Sequence, residues 1–129
     1  MPLEIGLKGA ASVTVTPENT AAAMGSGALP VFATPSMIAL MERAALESVQ
    51  PFLPEGQGTV GTRLEVSHMA ATPLGMEVRA EAELTEIDRR RLVFRVCAYA
   101  GDELIGEGRH ERFIVDSERF LQKAQAKKQ

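Results

Sequence analysis

The stretch Thr34-Pro35-Ser36-Met37-Ile38-Ala39-Leu40-Met41-Glu42-Arg43-Ala44-Ala45-Leu46-Glu47-Ser48-Val49 decides the fold. Met37, Leu40, Met41, Ala44, Ala45, Val49 and Phe52 recur at the three-and-four spacing of one buried helix face. Thr34 before Pro35 is a start signal: the hydroxyl can accept a free backbone N–H, and proline is preorganised for the first helical position. Pro51 and Pro54 end the helix. At about 17 residues, or ~25 Å at 1.5 Å per residue, it dominates so short a chain, and its apolar face requires a sheet to cover it.

That sheet follows at once. Four runs of alternating character are separated by turn residues, the pattern of antiparallel strands joined by hairpins. In the first, Val60, Thr62, Leu64, Val66 and His68 are expected on one face, with Arg63, Glu65 and Ser67 on the other. In the second, Val78, Ala80, Ala82 and Leu84 alternate with Glu77, Arg79, Glu81 and Glu83, a core face and a solvent face. Asp88-Arg89-Arg90 turns the chain into a third run, Leu92 to Ala100, and Gly101-Asp102 leads to a fourth, Glu103 to Val115. Gly106 and Gly108 in that last run signal a bend or a close backbone approach. Ser117 to Ala124 reads as a short terminal helix.

Upstream of the long helix, Ser12-Val13-Thr14-Val15-Thr16 favours a strand ending at Pro17. Gly25-Ser26-Gly27 and Pro30 then give a flexible stretch, a candidate loop over a site. One long helix wrapped by long antiparallel strands is an α+β arrangement, and among such arrangements it matches the hotdog fold rather than a sandwich or barrel. A lone sheet of this kind leaves an edge strand open, so a homodimer, or a higher oligomer built from it, is expected.

Composition narrows the function classes. The 129 residues, 45% hydrophobic and 24% charged, fit a single soluble domain spanning 1–129. No apolar run approaches the roughly 20 residues of a membrane span, and the N-terminus has no signal-peptide pattern, which makes the cytoplasm the expected location. A net charge of −3, with basic residues grouped only at Arg89-Arg90-Arg91 and Lys127-Lys128, argues against nucleic acid as a partner. Cys97, the one cysteine, is expected to be a buried structural thiol. Two histidines and scattered acids show no ligand spacing, so neither a metal nor a cofactor is expected.

Several segments, in order, resemble the fluoroacetyl-CoA thioesterase family of hotdog proteins. They are Val31-Phe32-Ala33-Thr34, the helix with Met41-Glu42, Gly58-Thr59-Val60-Gly61-Thr62, Ser67-His68-Met69-Ala70-Ala71-Thr72-Pro73, Arg89-Arg90-Arg91-Leu92 and Gly108-Arg109-His110-Glu111-Arg112. The resemblance covers roughly residues 8 to 120. It implies a dimeric enzyme that hydrolyses acyl-CoA thioesters, with Thr34, Glu42 and His68 as the catalytic set. It also marks Gly61, where a missing side chain lets backbone approach the acyl group, and Arg112, which can meet a CoA phosphate or a carboxylate. Selective family members carry an aromatic lid just before Val-Phe-Ala-Thr. Here Gly25-Ser26-Gly27-Ala28-Leu29 stands in its place, which points to a different or broader set of short acyl groups.

Each residue also has a plainer reading. Thr34 can be only an N-cap, although the same helix end offers free N–H groups, with Ser36 and Met37 as donors, that can polarise a thioester carbonyl. Glu42 can be a solvated helix carboxylate. His68 can be a satisfied structural histidine; with a reference pKa near 6.5 it can equally serve as base and then acid. In the catalytic reading Glu42 orients or charges His68, and His68 deprotonates water or Thr34, which either forms an acyl-enzyme or holds substrate by hydrogen bonds. Thr34 and Glu42 stand eight residues apart, about 12 Å along a helix, so joining them calls for axial side chains or a contact from a second copy. His110 reads as a packing or surface residue. The competing functions are a non-catalytic acyl-CoA or small-ligand binding hotdog protein, and an enoyl-CoA hydratase, whose Asp and His pair on the helix is missing here.

Overall fold

The long helix, α2 (Thr34–Val49), lies across the inward face of a five-stranded antiparallel sheet in the computed structural model, which describes residues 3–128. In chain order the elements are β1 (Lys8–Thr14), a single helical turn α1 (Ala21–Met24), α2, β2 (Gln57–His68), β3 (Glu77–Asp88), β4 (Arg91–Ala100), β5 (Glu103–Asp116) and α3 (Ser117–Gln125). The strands run in the order β1-β3-β4-β5-β2, so β2 and β1 are the two edges. This is the hotdog arrangement read from the sequence: one helix wrapped by one long sheet.

The expected helix face is the buried one. Met37, Met41, Ala44, Ala45 and Val49 are fully buried, and Leu40 nearly so. They meet Val78, Ala80, Ala82 and Leu84 of β3 and Phe94, Val96 and Ala98 of β4. Small residues on β1 and β3 let the helix come close. A Cβ on Gly9 would strike the Ala44 carbonyl and the Ser48 side chain, so glycine there is a condition of the packing.

The inward face of β2 departs from the expected one. A bulge between Gly61 and Arg63 inserts one residue, so Gly61 pairs with Arg112, and Leu64 with His110. Simple alternation puts Val60 and Thr62 inward with His68; the bulge instead aligns Thr59, Gly61, Leu64, Val66 and His68 on that face and turns Thr62 out to solvent. The glycine in the strand was the available signal.

Residues 19–33 are ordered more tightly than a flexible loop. The first strand begins at Lys8, ahead of the expected Ser12. The Thr20 hydroxyl caps α1 by accepting the Ala23 N–H, and Gly25 closes the turn at φ +73°. Ala21 N–H then donates to the Val31 carbonyl and Ala22 N–H to the Leu29 carbonyl, folding residues 25–30 back over α1. Cys97 also differs from expectation: it is half-buried on the outward face, between Glu81 and Glu107 of the neighbouring strands. Burial raises its pKa, which keeps it a thiol.

Candidate active site

The start of α2 is pinned from two sides. Phe32 N–H donates to the Thr72 carbonyl at 2.9 Å and Ala33 N–H to the Asn19 carbonyl at 3.0 Å, and both side chains are buried. Ala33, not Thr34, is therefore the N-cap residue, and it has no side chain to cap with. Thr34 is the first helical residue, and its hydroxyl is used elsewhere. Its Oγ1 lies 2.7 Å from Nδ1 of His68, the last residue of β2. The Thr34 hydroxyl is thus given to an imidazole instead of to the helix backbone.

His68 Nε2 is buried without a hydrogen-bond partner among the described residues. Burial lowers the pKa of the ring below 6.5, with the Ala70 backbone pulling the other way. A neutral imidazole bonded to a hydroxyl has the composition of a base and its proton source. Of the two helix-end donors expected from the sequence, Met37 is excluded: its N–H is consumed by the Ala33 carbonyl at 2.9 Å. Its side chain is fully buried, close to where Gly106 has none. Ser36 N–H remains among the first-turn donors that have no acceptor one turn earlier.

Glu42 belongs to a second cluster, two turns further along α2. Its Oε2 lies 3.7 Å from Nη1 of Arg112, and the carboxylate is 38% exposed. A Cβ on Gly61 would lie 2.6 Å from Glu42 Oε2, 3.3 Å from His110 and 3.5 Å from Arg112, so these groups converge over the bare backbone of Gly61. Arg112 is buried, with Nε donating to Thr59 Oγ1 at 2.7 Å and Nη2 to the Thr59 carbonyl at 2.9 Å. Within the chain its carboxylate neighbour is Glu42.

The chain therefore brings Thr34 to His68 and Glu42 to Gly61 and Arg112, but among the described residues it makes no hydrogen bond between Glu42 and His68. Thr59 and His110 are two members of the second cluster that sequence reasoning left out. The bulge hid the first, since alternation counted back from His68 turns Thr59 outward. The second reads from the sequence as a packing or surface residue, yet its Nε2 meets Arg112 at 3.2 Å.

A depression of about 750 Å³ lies on the other face of the sheet, lined by residues such as Arg79, Glu81, Arg95, Cys97 and Tyr99. None of the site residues borders it. No group of three metal-ligating side chains occurs among the described residues, and no helix there is long and apolar enough to cross a membrane.

Comparison with known proteins gives a consistent result. The family profile described as fluoroacetyl-CoA-specific thioesterase matches residues 15–118. The fluoroacetyl-CoA thioesterase of Streptantibioticus cattleyicolor is 44% identical over 97 residues, which cover 75% of this chain and 70% of that protein. A crystal structure of a point variant of a fluoroacetyl-CoA-specific thioesterase superposes with a TM-score of 0.91 at 36% identity, covering 98% of each chain. A Thermus thermophilus protein described as a thioesterase superfamily member is 33% identical, with a TM-score of 0.90 over 98% of this chain and 94% of that one.

Proposed function

Because the chain belongs to the fluoroacetyl-CoA-specific thioesterase family, we propose that it hydrolyses short acyl-CoA thioesters at the mouth of α2, with Thr34, His68 and Glu42 as the catalytic groups. The observation that carries the reading is the 2.7 Å contact between Thr34 Oγ1 and His68 Nδ1. With Nδ1 unprotonated, His68 takes the hydroxyl proton as Thr34 Oγ1 attacks the thioester carbonyl. The oxygen–carbon bond forms, the carbon–sulfur bond breaks, and the proton passes to the departing CoA sulfur. Water, activated by the same imidazole, then releases the acid. Ser36 N–H and the positive end of α2 face the developing oxyanion.

Glu42 reaches His68 in this account through a second copy. The backbone groups on the outer edge of β2 are open, and pairing with an identical strand about a two-fold axis covers them. Antiparallel pairing runs the His68 end of one β2 beside the Gly61 half of the other, both on the inward face. Glu42 of one copy then approaches His68 of its mate, and the orphaned Nε2 gains an acceptor. The resulting homodimer has two composite sites. The loop at residues 25–30 offers Ala28 and Leu29 and no aromatic side chain, which favours a broader set of short acyl groups over strict fluoroacetyl selectivity.

Thiol release from a panel of acetyl-, fluoroacetyl-, longer-chain and aromatic acyl-CoA tests the reading. Turnover of the short members supports it. Saturable acyl-CoA binding without any release identifies a binding protein instead.

A further inference from the structure

We propose that His110 is a positioning residue: its ring, fixed in one tautomer, holds the Arg112 guanidinium in place against Glu42. The inference rests on the reading that Glu42 and Arg112 serve thioester hydrolysis, and it adds a residue to which that reading gives no part.

His110 has no exposed surface. Leu64 lies across from it on β2 and Phe94 on β4, the latter with ring centroids 6.1 Å apart. Its Nδ1 lies 2.9 Å from the Arg63 carbonyl, an acceptor only, so Nδ1 carries the proton. Its Nε2 lies 3.2 Å from Arg112 Nη1, a donor only, so Nε2 presents its lone pair. One neutral tautomer satisfies both neighbours, and a second proton would set an imidazolium against a guanidinium.

The Arg112 fork is consequently held at three points. Thr59 takes Nε–H and one Nη2–H, and His110 takes one Nη1–H. The remaining Nη1–H is left for Glu42, at 3.7 Å, beside the gap over Gly61. Thr59 alone fixes the far side of the guanidinium. The bond to His110 fixes the side that faces Glu42. A ring needed only for volume would have no use for a lone pair aimed at a buried cation, and phenylalanine would fill the same space.

Steady-state kinetics and melting temperature are measured for His110→Phe and His110→Gln, each also in an Arg112→Lys background. The expected result is that His110→Phe lowers kcat about 10-fold to 100-fold with little change in KM, the scale of a small misplacement of a reacting group. His110→Gln recovers much of that loss, because its amide oxygen can accept from Nη1. In the Arg112→Lys background His110→Phe costs little more. Equal losses in Phe and Gln, or a full loss persisting without Arg112, would overturn the proposal in favour of simple packing. Ring-nitrogen NMR of the wild-type protein supplies a readout independent of turnover: an Nδ1-protonated ring whose Nε2 signal moves in Arg112→Lys is expected, and the opposite tautomer or an unmoved signal contradicts the proposal. Should the wild-type protein turn over no acyl-CoA, the hydrolase reading fails, and the NMR result still decides the link between His110 and Arg112.

Discussion

Thr34 and His68 are joined side chain to side chain at 2.7 Å across 34 residues of sequence. Neither is placed by its own element alone. The start of α2 is fixed by Phe32 N–H on the Thr72 carbonyl, and the end of β2 by Met69 N–H on the Ile105 carbonyl at 2.6 Å. These backbone bonds deliver the hydroxyl and the imidazole to one point before any substrate arrives, which is the preorganisation that catalysis by position requires.

Replacing Thr34 separates its possible duties. Thr34→Val keeps the shape and removes the hydroxyl, and Thr34→Ser keeps the hydroxyl. If the hydroxyl is the nucleophile, Val lowers kcat by about 10²-fold or more while Ser retains most of it, the scale expected when a positioned group leaves the reacting set. Melting temperature stays nearly level in both, because Thr34 is exposed and does not act as the helix cap. Intact-mass measurement on brief mixing with acyl-CoA checks for one added acyl group, present in the wild-type protein and missing in Val.

Acid pH should affect rate and stability in the same direction. Burial lowers the pKa of His68 below 6.5, so the neutral base persists at pH 6.5 and turnover falls only under more acidic conditions. His110 is lowered as well, chiefly by burial and further by the Arg112 charge, against the bond to the Arg63 carbonyl. For both residues the unfolded chain takes up a proton before the folded one. Stability is therefore complete above about pH 6.5 and declines from there down to the lowered folded values. Thermal melts across pH 5 to 8 check this, and the slope should shrink in His110→Phe.

Gly61 should matter for activity more than for stability. An added Cβ would meet the Glu42 carboxylate at 2.6 Å, the mobile end of a partly exposed side chain, so the chain still folds while the carboxylate moves. Gly61→Ala is expected to reduce kcat about 10-fold or more, as small misplacements do, with a melting temperature close to wild type. Gly106→Ala makes the contrasting case. There the Cβ meets Met37 in the core and the Ser67 carbonyl at 2.9 Å, and overpacking costs about 1–3 kcal/mol, visible in denaturant titration.

A composite site makes a prediction about mixtures. His68→Ala and Glu42→Ala proteins should each be nearly inactive. Unfolding and refolding them together produces mixed dimers in which one of the two sites has both native residues, and activity returns. A site built within one copy would leave every site in the mixture damaged, and no activity would return.

Most of the architecture could be read from the chain because it depends on periodicity. Met37 through Val49 and Val78 through Leu84 each keep one strict repeat, and those are the faces that pack. The site was less legible wherever a local irregularity reset the pattern. The bulge at Thr62 exchanges the faces of β2, so Thr59 could not be placed inward by counting. Thr34 looks like a cap because threonine before proline is a common helix start, but the cap position falls one residue earlier, at Ala33, and the Thr34 hydroxyl turns to His68. Glu42 and Arg112 lie seventy residues apart on different elements, and no short-range pattern reports their contact. His110 gave no signal of its own beyond an ionisable ring on the buried face of a strand.

In the proposed mechanism an imidazole, a hydroxyl and a carboxylate cleave an acyl-CoA thioester. Free-thiol release from acetyl-CoA by the wild-type protein, His68→Ala and Glu42→Ala is the decisive assay. Steady release by the wild type and a fall of about 10²-fold to 10⁴-fold in both variants are expected, the usual contribution of a positioned acid or base. Turnover that continues unchanged when His68 and Glu42 are each replaced would remove both residues from the chemistry.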